Sequence, residues 1–147
     1  MARFCVPRDV YFGRDTLQTL AKLQGERALL VLCDAPRGGH AQSASAYLQD
    51  AGMRVRVLPG MGADASLREV RNGVKAMREC RPDWIVAMGG DTLLGAAKIM
   101  WALYAYPAAS PDTLSALSLD DINLRAAARF AAIPTTVGAG LEASCFA

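Results

Sequence analysis

Short apolar runs alternate along this chain with longer stretches whose apolar residues recur at helical spacing. That alternation predicts a layered α/β domain. Arg27–Cys33 (RALLVLC) and Trp84–Met88 (WIVAM) are the clearest strands, because a nearly continuous apolar run fits a parallel strand covered on both faces. Arg54–Leu58 (RVRVL) alternates charge with apolar bulk and should lie nearer an edge. Asp9–Gly13 (DVYFG) reads as a first strand, and Arg129–Ile133, closed by Pro134, as a last one.

Helices fill the intervals. One should begin near Asp15 or Thr16 and reach Leu23, with Leu17, Leu20 and Leu23 on one face. His40–Ala51 ends at Gly52, a residue that readily stops a helix. Ser66-Leu67-Arg68-Glu69 is a capping box opening a helix to about Cys80, with Val70, Val74 and Met77 as its apolar stripe. A long helix spans about Thr92–Tyr104, and a short one is expected at Asp112–Leu117. The predicted order is β-α-β-α-β-α-β-α-β, a mostly parallel sheet with helices on both faces. In such a sheet ligands lie in the crevice outside the carboxyl ends of the strands.

Composition changes this picture little. A chain of 147 residues, 52% hydrophobic and 20% charged, has the makings of one globular domain rather than a disordered segment. The net charge of +2 is spread without a basic stripe, which argues against nucleic acid. MARFCVPRDV lacks the apolar stretch of a secretory leader, and Ala96–Ala109 is too short and carries Lys98, so a cytoplasmic protein without a membrane span is expected. Cys5, Cys33, Cys80 and Cys145 form no CxxC pair and read as small buried residues. His40 is the single histidine, too few for a histidine-rich metal site, and is expected at the surface. Asp120-Asp121 reads as a solvated turn.

Candidate chemistry sits where strands are predicted to end. Gly89-Gly90-Asp91-Thr92 follows a buried strand and opens a helix, so its backbone could approach a phosphate and its amides donate to it; an ordinary tight turn capped by Asp91 or Thr92 fits equally. Asp34 ends the best strand, where a carboxylate could accept both hydroxyls of an adenosine ribose and repel a 2′-phosphate, or merely cap a turn. Gly60-Met61-Gly62-Ala63-Asp64-Ala65 has the G-x-G-x-x-A form of a dinucleotide fingerprint, but Pro59 before it and a helix opening only at Ser66 suggest a longer loop. Thr135-Thr136 leaves the last strand beside these loops.

Two segments carry a resemblance. Ile85–Lys98 (IVAMGGDTLLGAAK) is similar to the strand and G-G-G-S-x-x-D-x-A-K motif of the iron-containing (group III) alcohol dehydrogenases. Ala132–Glu142 (AIPTTVGAGLE) resembles their A-I-P-T-T-x-G-T-G-S-E. VYFGRDTLQTLAKL looks like the opening strand, glycine and helix of that family, and Lys98–Trp101 with Tyr104 and Pro107 is most similar to the dehydrogenase half of bifunctional aldehyde–alcohol dehydrogenases.

The resemblance implies a Rossmann-like, dehydroquinate-synthase-like N-terminal half, an NAD(P)-binding α/β domain over residues 1–147 without the helical metal-binding domain. It implies that Asp34 binds the ribose of NAD, that Gly89, Gly90, Asp91 and Thr92 form the pyrophosphate loop, that Gly95 stands where the family has an aspartate near the cofactor, and that Thr135 and Thr136 flank the nucleotide. Iron or zinc is held in the family by one aspartate and three histidines outside this stretch, so this chain alone is expected to be inactive. Four departures leave a second reading open, a degenerate non-catalytic module acting through protein contacts. Asp91 replaces a glycine, Gly95 an aspartate, Ala139 a threonine and Leu141 a serine. Apolar residues near Ile133 and Phe146 are expected to be exposed, predicting a homo-oligomer or a helical partner domain.

Overall fold

The computed structural model describes residues 7–33, 39–61, 65–110, 113, 123–136, 138 and 140–143. The strands are β1 (Arg27–Cys33), β2 (Arg54–Met61), β3 (Trp84–Gly89) and β4 (Arg129–Pro134), and the helices are α1 (His40–Asp50), α2 (Leu67–Cys80) and α3 (Asp91–Ala105). All strand pairs are parallel, in the order β2-β1-β3-β4. Among the described residues no helix is long and apolar enough to cross a membrane.

Side-chain alternation divides the core. Leu29 and Val31 of β1 and Ile85 and Ala87 of β3 face Val70, Val74 and Met77 of α2 and Leu94, Ala97 and Met100 of α3. Leu30, Leu32, Val86 and Met88 point the other way, onto Ala41, Ala44 and Leu48 of α1 and onto Leu20. Full burial of each such Leu or Ile contributes about 1.5–3 kcal/mol, so the two central strands anchor the domain. Helices α2 and α3 pack closely because position 73 has no side chain: a Cβ on Gly73 would lie 1.8 Å from the Met100 sulfur.

The chain steps from β1 to β2 in one direction across the sheet, then returns over β1 to β3 and on to β4. Right-handed crossovers require α1 on one face and α2 and α3 on the other, which is the arrangement seen. The direction reverses between β1 and β3, and in sheets of this kind ligands bind outside the carboxyl ends at such a switch point.

Three expectations about the elements need correction. Residues 9–13 form no strand: Val10, Tyr11 and Phe12 are exposed and unpaired with the sheet. Strand-forming residues make a strand only where an edge accepts them, and neither described edge does so here. The expected first helix is instead a 3-10 helix, Thr16–Lys22. Leu17, Leu20 and Leu23 are spaced by three throughout, which suits three residues per turn as well as an α-helix. β2 does not stop at Leu58 but runs through Pro59 to Met61, with a register irregularity between Val31 and Cys33 of its partner. An edge strand tolerates proline, since only one side of it must donate.

The remaining elements lie within a residue or two of expectation, and the Ser66–Glu69 capping box is made in both directions. The short helix expected at 112–117 lies, apart from Thr113, outside the described residues, as do Asp120 and Asp121. Ile133 is half-buried against the α1 face, not exposed, and Phe146 lies outside the described residues.

Candidate functional site

β3 ends at Gly89, and α3 begins after one further residue. A Cβ on Gly89 would come within 2.9 Å of Leu93, so glycine lets the first turn of α3 fold back against the strand end. Gly90 is the N-cap, in extended backbone (φ −79°, ψ −177°), and gives the helix no side-chain cap. The first helical bond runs from the Leu94 amide to the Gly90 carbonyl at 3.0 Å. The amides of Asp91, Thr92 and Leu93 precede it and have no carbonyl partner within the helix. With the positive end of the helix dipole, they make an anion-accepting end.

The loop after β4 closes one side of this end. The Thr135 amide donates to the Gly89 carbonyl at 2.9 Å, carrying the ladder one residue past Pro134. Thr136 lies against Gly90: a Cβ there would stand 3.3 Å from its Oγ1. Thr135 and Thr136 are both exposed at the strand ends. Beyond them Gly138 and Gly140 take φ values of 131° and 68°, which favour glycine and account for the two glycines of the second motif. The chain then returns to α3, where the Lys98 ammonium donates to the Leu141 carbonyl. The Leu141 side chain packs onto the α2–α3 side of the core.

The structure thus brings Gly89, Gly90, Asp91, Thr92, Thr135 and Thr136 to one end of the sheet. Asp91 is half-buried at the first position of α3 and Thr92 is exposed beside it. Gly95 is buried one turn further and has no polar side chain to offer. Asp34 lies outside the described residues, one position past the end of β1, whose neighbour in the sheet is β3. Of the G-x-G-x-x-A segment, Gly60 and Met61 belong to β2 and positions 62–64 lie outside the described residues. A strand running through Met61 leaves no tight turn at its first glycine.

Sequence reasoning assigned nothing to Lys98 or to the side chain of Leu141. The available signal was a charge inside an otherwise apolar helix: Lys98 is the only charged residue between Leu93 and Leu103. Cys33 and Cys80 are free thiols, and burial pushes the Cys80 thiol up, away from reactivity. His40 is exposed at the start of α1. Among the described residues no three His, Cys, Asp or Glu converge as metal ligands do.

A concavity of about 270 Å³ lies at the opposite end of the sheet, lined by Gln24, Gly25, Asp83, Arg125 and Arg129 among others. Its groups are largely committed to holding the amino ends of the strands together. Asp83 accepts from the Glu26 and Arg27 amides at 2.7 and 2.9 Å, the Trp84 indole donates to the Gln24 carbonyl at 3.1 Å, and the Arg129 guanidinium lies over the Trp84 ring.

The family profile described as iron-containing alcohol dehydrogenase matches residues 7–147. The chain is 38% identical over 148 residues to an NADPH-dependent butanol dehydrogenase of Clostridium saccharobutylicum, covering 99% of this chain and 38% of that protein. It is 32% identical over 155 residues to the bifunctional aldehyde-alcohol dehydrogenase AdhE of Escherichia coli K12, covering 97% of this chain and 17% of that one. Among solved structures, an iron-containing alcohol dehydrogenase from Thermococcus thioreducens superposes with a TM-score of 0.79 at 28% identity, over 90% of this chain and 36% of that chain. The chain therefore spans well under half the length of these relatives.

Proposed function

The chain belongs to the iron-containing alcohol dehydrogenase family, and from that premise we propose that it is the nucleotide-binding part of an NAD-dependent alcohol dehydrogenase of the cytosol. The observation that carries this reading is the uncapped start of α3 at the strand-order reversal, with Thr136 seated against Gly90. The amides of Asp91, Thr92 and Leu93 would receive a pyrophosphate, Thr135 and Thr136 would flank the nucleotide, and Asp34 would take the adenosine ribose. Bound NAD supplies the hydride acceptor for reversible oxidation of a small primary alcohol to an aldehyde.

The residues here do not fit iron or zinc, since the one histidine is exposed and the described residues hold no ligand cluster. A metal in the complete reaction would then be held by groups other than the described residues, and this chain by itself is expected not to transfer hydride. Asp34 favours NAD over NADP, because a 2′-phosphate beside a carboxylate is repelled. The butanol dehydrogenase relative is NADPH-dependent by name, so calorimetric titration with NADH and then NADPH tests both cofactor binding and preference. NADH binding tighter than NADPH is expected. Absence of heat with either at millimolar ligand would overturn the assignment.

A second reading, a non-catalytic module acting through protein contacts, is favoured by the Asp91 carboxylate at the anion-accepting end and by the exposed apolar run Val10-Tyr11-Phe12. Phe12 is 89% exposed and Val10 70%, surface of the kind that partners cover. Both readings predict self-association or docking of a helical partner domain. A monomer by light scattering at working concentration would contradict self-association.

A further inference from the structure

The second motif does not simply trail away from β4. Thr136 lies beside Gly90 at the start of α3, where a Cβ on the glycine would stand 3.3 Å from its Oγ1, and five residues later the Leu141 carbonyl accepts a hydrogen bond from Lys98. Lys98 lies eight residues after Gly90, so their backbones are separated by about 12 Å along the helix axis at 1.5 Å per residue. The strap that follows β4 is therefore held to α3 at two described points, Thr136 and Leu141. Between those points Gly138 and Gly140 are both at positive φ.

The two fixings differ in kind. At the upper end the hold is the Thr135–Gly89 backbone bond and the small contact at Gly90. At the lower end the half-buried Lys98 reaches a backbone carbonyl while the partly buried Leu141 side chain packs against the core. A charged donor on a partly desolvated carbonyl is among the stronger single hydrogen bonds a protein makes. A cation is costly in an apolar helix face unless it is used this way.

We propose that Lys98 is a positioning residue: by tethering the strap at Leu141 it fixes the Thr135–Thr136 wall against the start of α3 and so sets the width of the nucleotide cleft. The consequence for ligand binding rests on the nucleotide-binding function proposed above; the tether itself does not.

Amide hydrogen exchange on the ligand-free 147-residue chain tests the tether, comparing Lys98→Met and Lys98→Arg with the parent. In Lys98→Met, exchange across residues 135–143 should rise about tenfold or more, while amides of β1 and β3 keep their parent rates. Lys98→Arg, which retains a donor, should restore most of the protection. No local change in Lys98→Met, a rise shared equally by β1 and β3, or an arginine variant that behaves like the methionine one would each overturn the proposal. NADH titration then separates the two claims. A parent that binds NADH should lose about tenfold in affinity in Lys98→Met, and equal affinity would overturn the positioning role. A parent that binds no NADH removes the nucleotide site and, with it, the role proposed for the tether in the cleft.

Discussion

The two ends of one parallel sheet are built on opposite plans. At the amino end, side chains hold the strands: Asp83 joins the start of β3 to β1, Arg129 of β4 stacks on Trp84 of β3, and Trp84 reaches back to Gln24. The Trp101 indole adds bonds to the Leu124 and Ala128 carbonyls while stacking on Phe130 at 5.0 Å. At the carboxyl end Gly89 and Gly90 present no side chain, and the start of α3 has no side-chain cap. Bonds satisfied by the protein itself stabilise it; donors left open are available to something else. On the proposed function, stability is built at one end and ligand binding at the other.

The largest expected effect is at the amino end. Asp83→Ala leaves the Glu26 and Arg27 amides without their acceptor and the Arg27 guanidinium without its partner at 3.7 Å. A cost of about 2 kcal/mol is expected, reduced from the buried-site value because the carboxylate is partly exposed. Denaturant unfolding measures it, and NADH affinity in the same variant should stay within about twofold of the parent if the two ends are independent.

Acid sharpens the same point. Burial by itself pushes the Asp83 carboxyl up, but the donations from Glu26 and Arg27 and the Arg27 charge outweigh it and hold the group below its ordinary value. A carboxylate lowered in the folded state adds stability that is present above the unfolded value, about 3.9, and is lost as pH falls through the folded value. Stability of the parent should therefore fall more steeply below about pH 4 than that of Asp83→Asn. Parallel pH profiles would show that Asp83 contributes nothing through its charge.

Changes at the carboxyl end should move binding and leave stability nearly alone. Gly90→Val places a branched side chain toward Thr136 and across the outward amides, and should weaken NADH binding more than tenfold while unfolding shifts by no more than about 1 kcal/mol. The smallest effect is at Asp91. Removing its charge with Asp91→Asn should raise NADH affinity several-fold, since two like charges about 4 Å apart cost roughly 1 kcal/mol in water. Unchanged affinity would mean that no anion lies there.

Much of this was legible in the chain. Arg27–Cys33 and Trp84–Gly89 declare themselves as central strands because both their faces must be apolar, and Ser66 with Glu69 marks the start of α2 because its capping bonds are local. Local rules failed where a partner decides. Val10, Tyr11 and Phe12 have strand-forming side chains, but no edge takes them up. Pro59 reads as a stop, yet β2 passes it because the strand lies at an edge. At the site, the glycine pair and the threonine pair were visible as motifs, but their contact at Gly90 and Thr136 depends on β4 lying beside β3, which only the strand order reveals. Lys98 was hidden for the same reason, its acceptor lying 43 residues further along the chain.

Backbone amide chemical shifts of the ligand-free chain, followed as NADH is added, test the division between the two ends most directly. Binding at the carboxyl end should move the amides of Gly90, Asp91, Thr92, Leu93, Thr135 and Thr136 while those of Glu26, Arg27 and Asp83 stay in place. Shifts confined to the Gln24–Asp83–Arg129 end, or none at all at millimolar NADH, would contradict it.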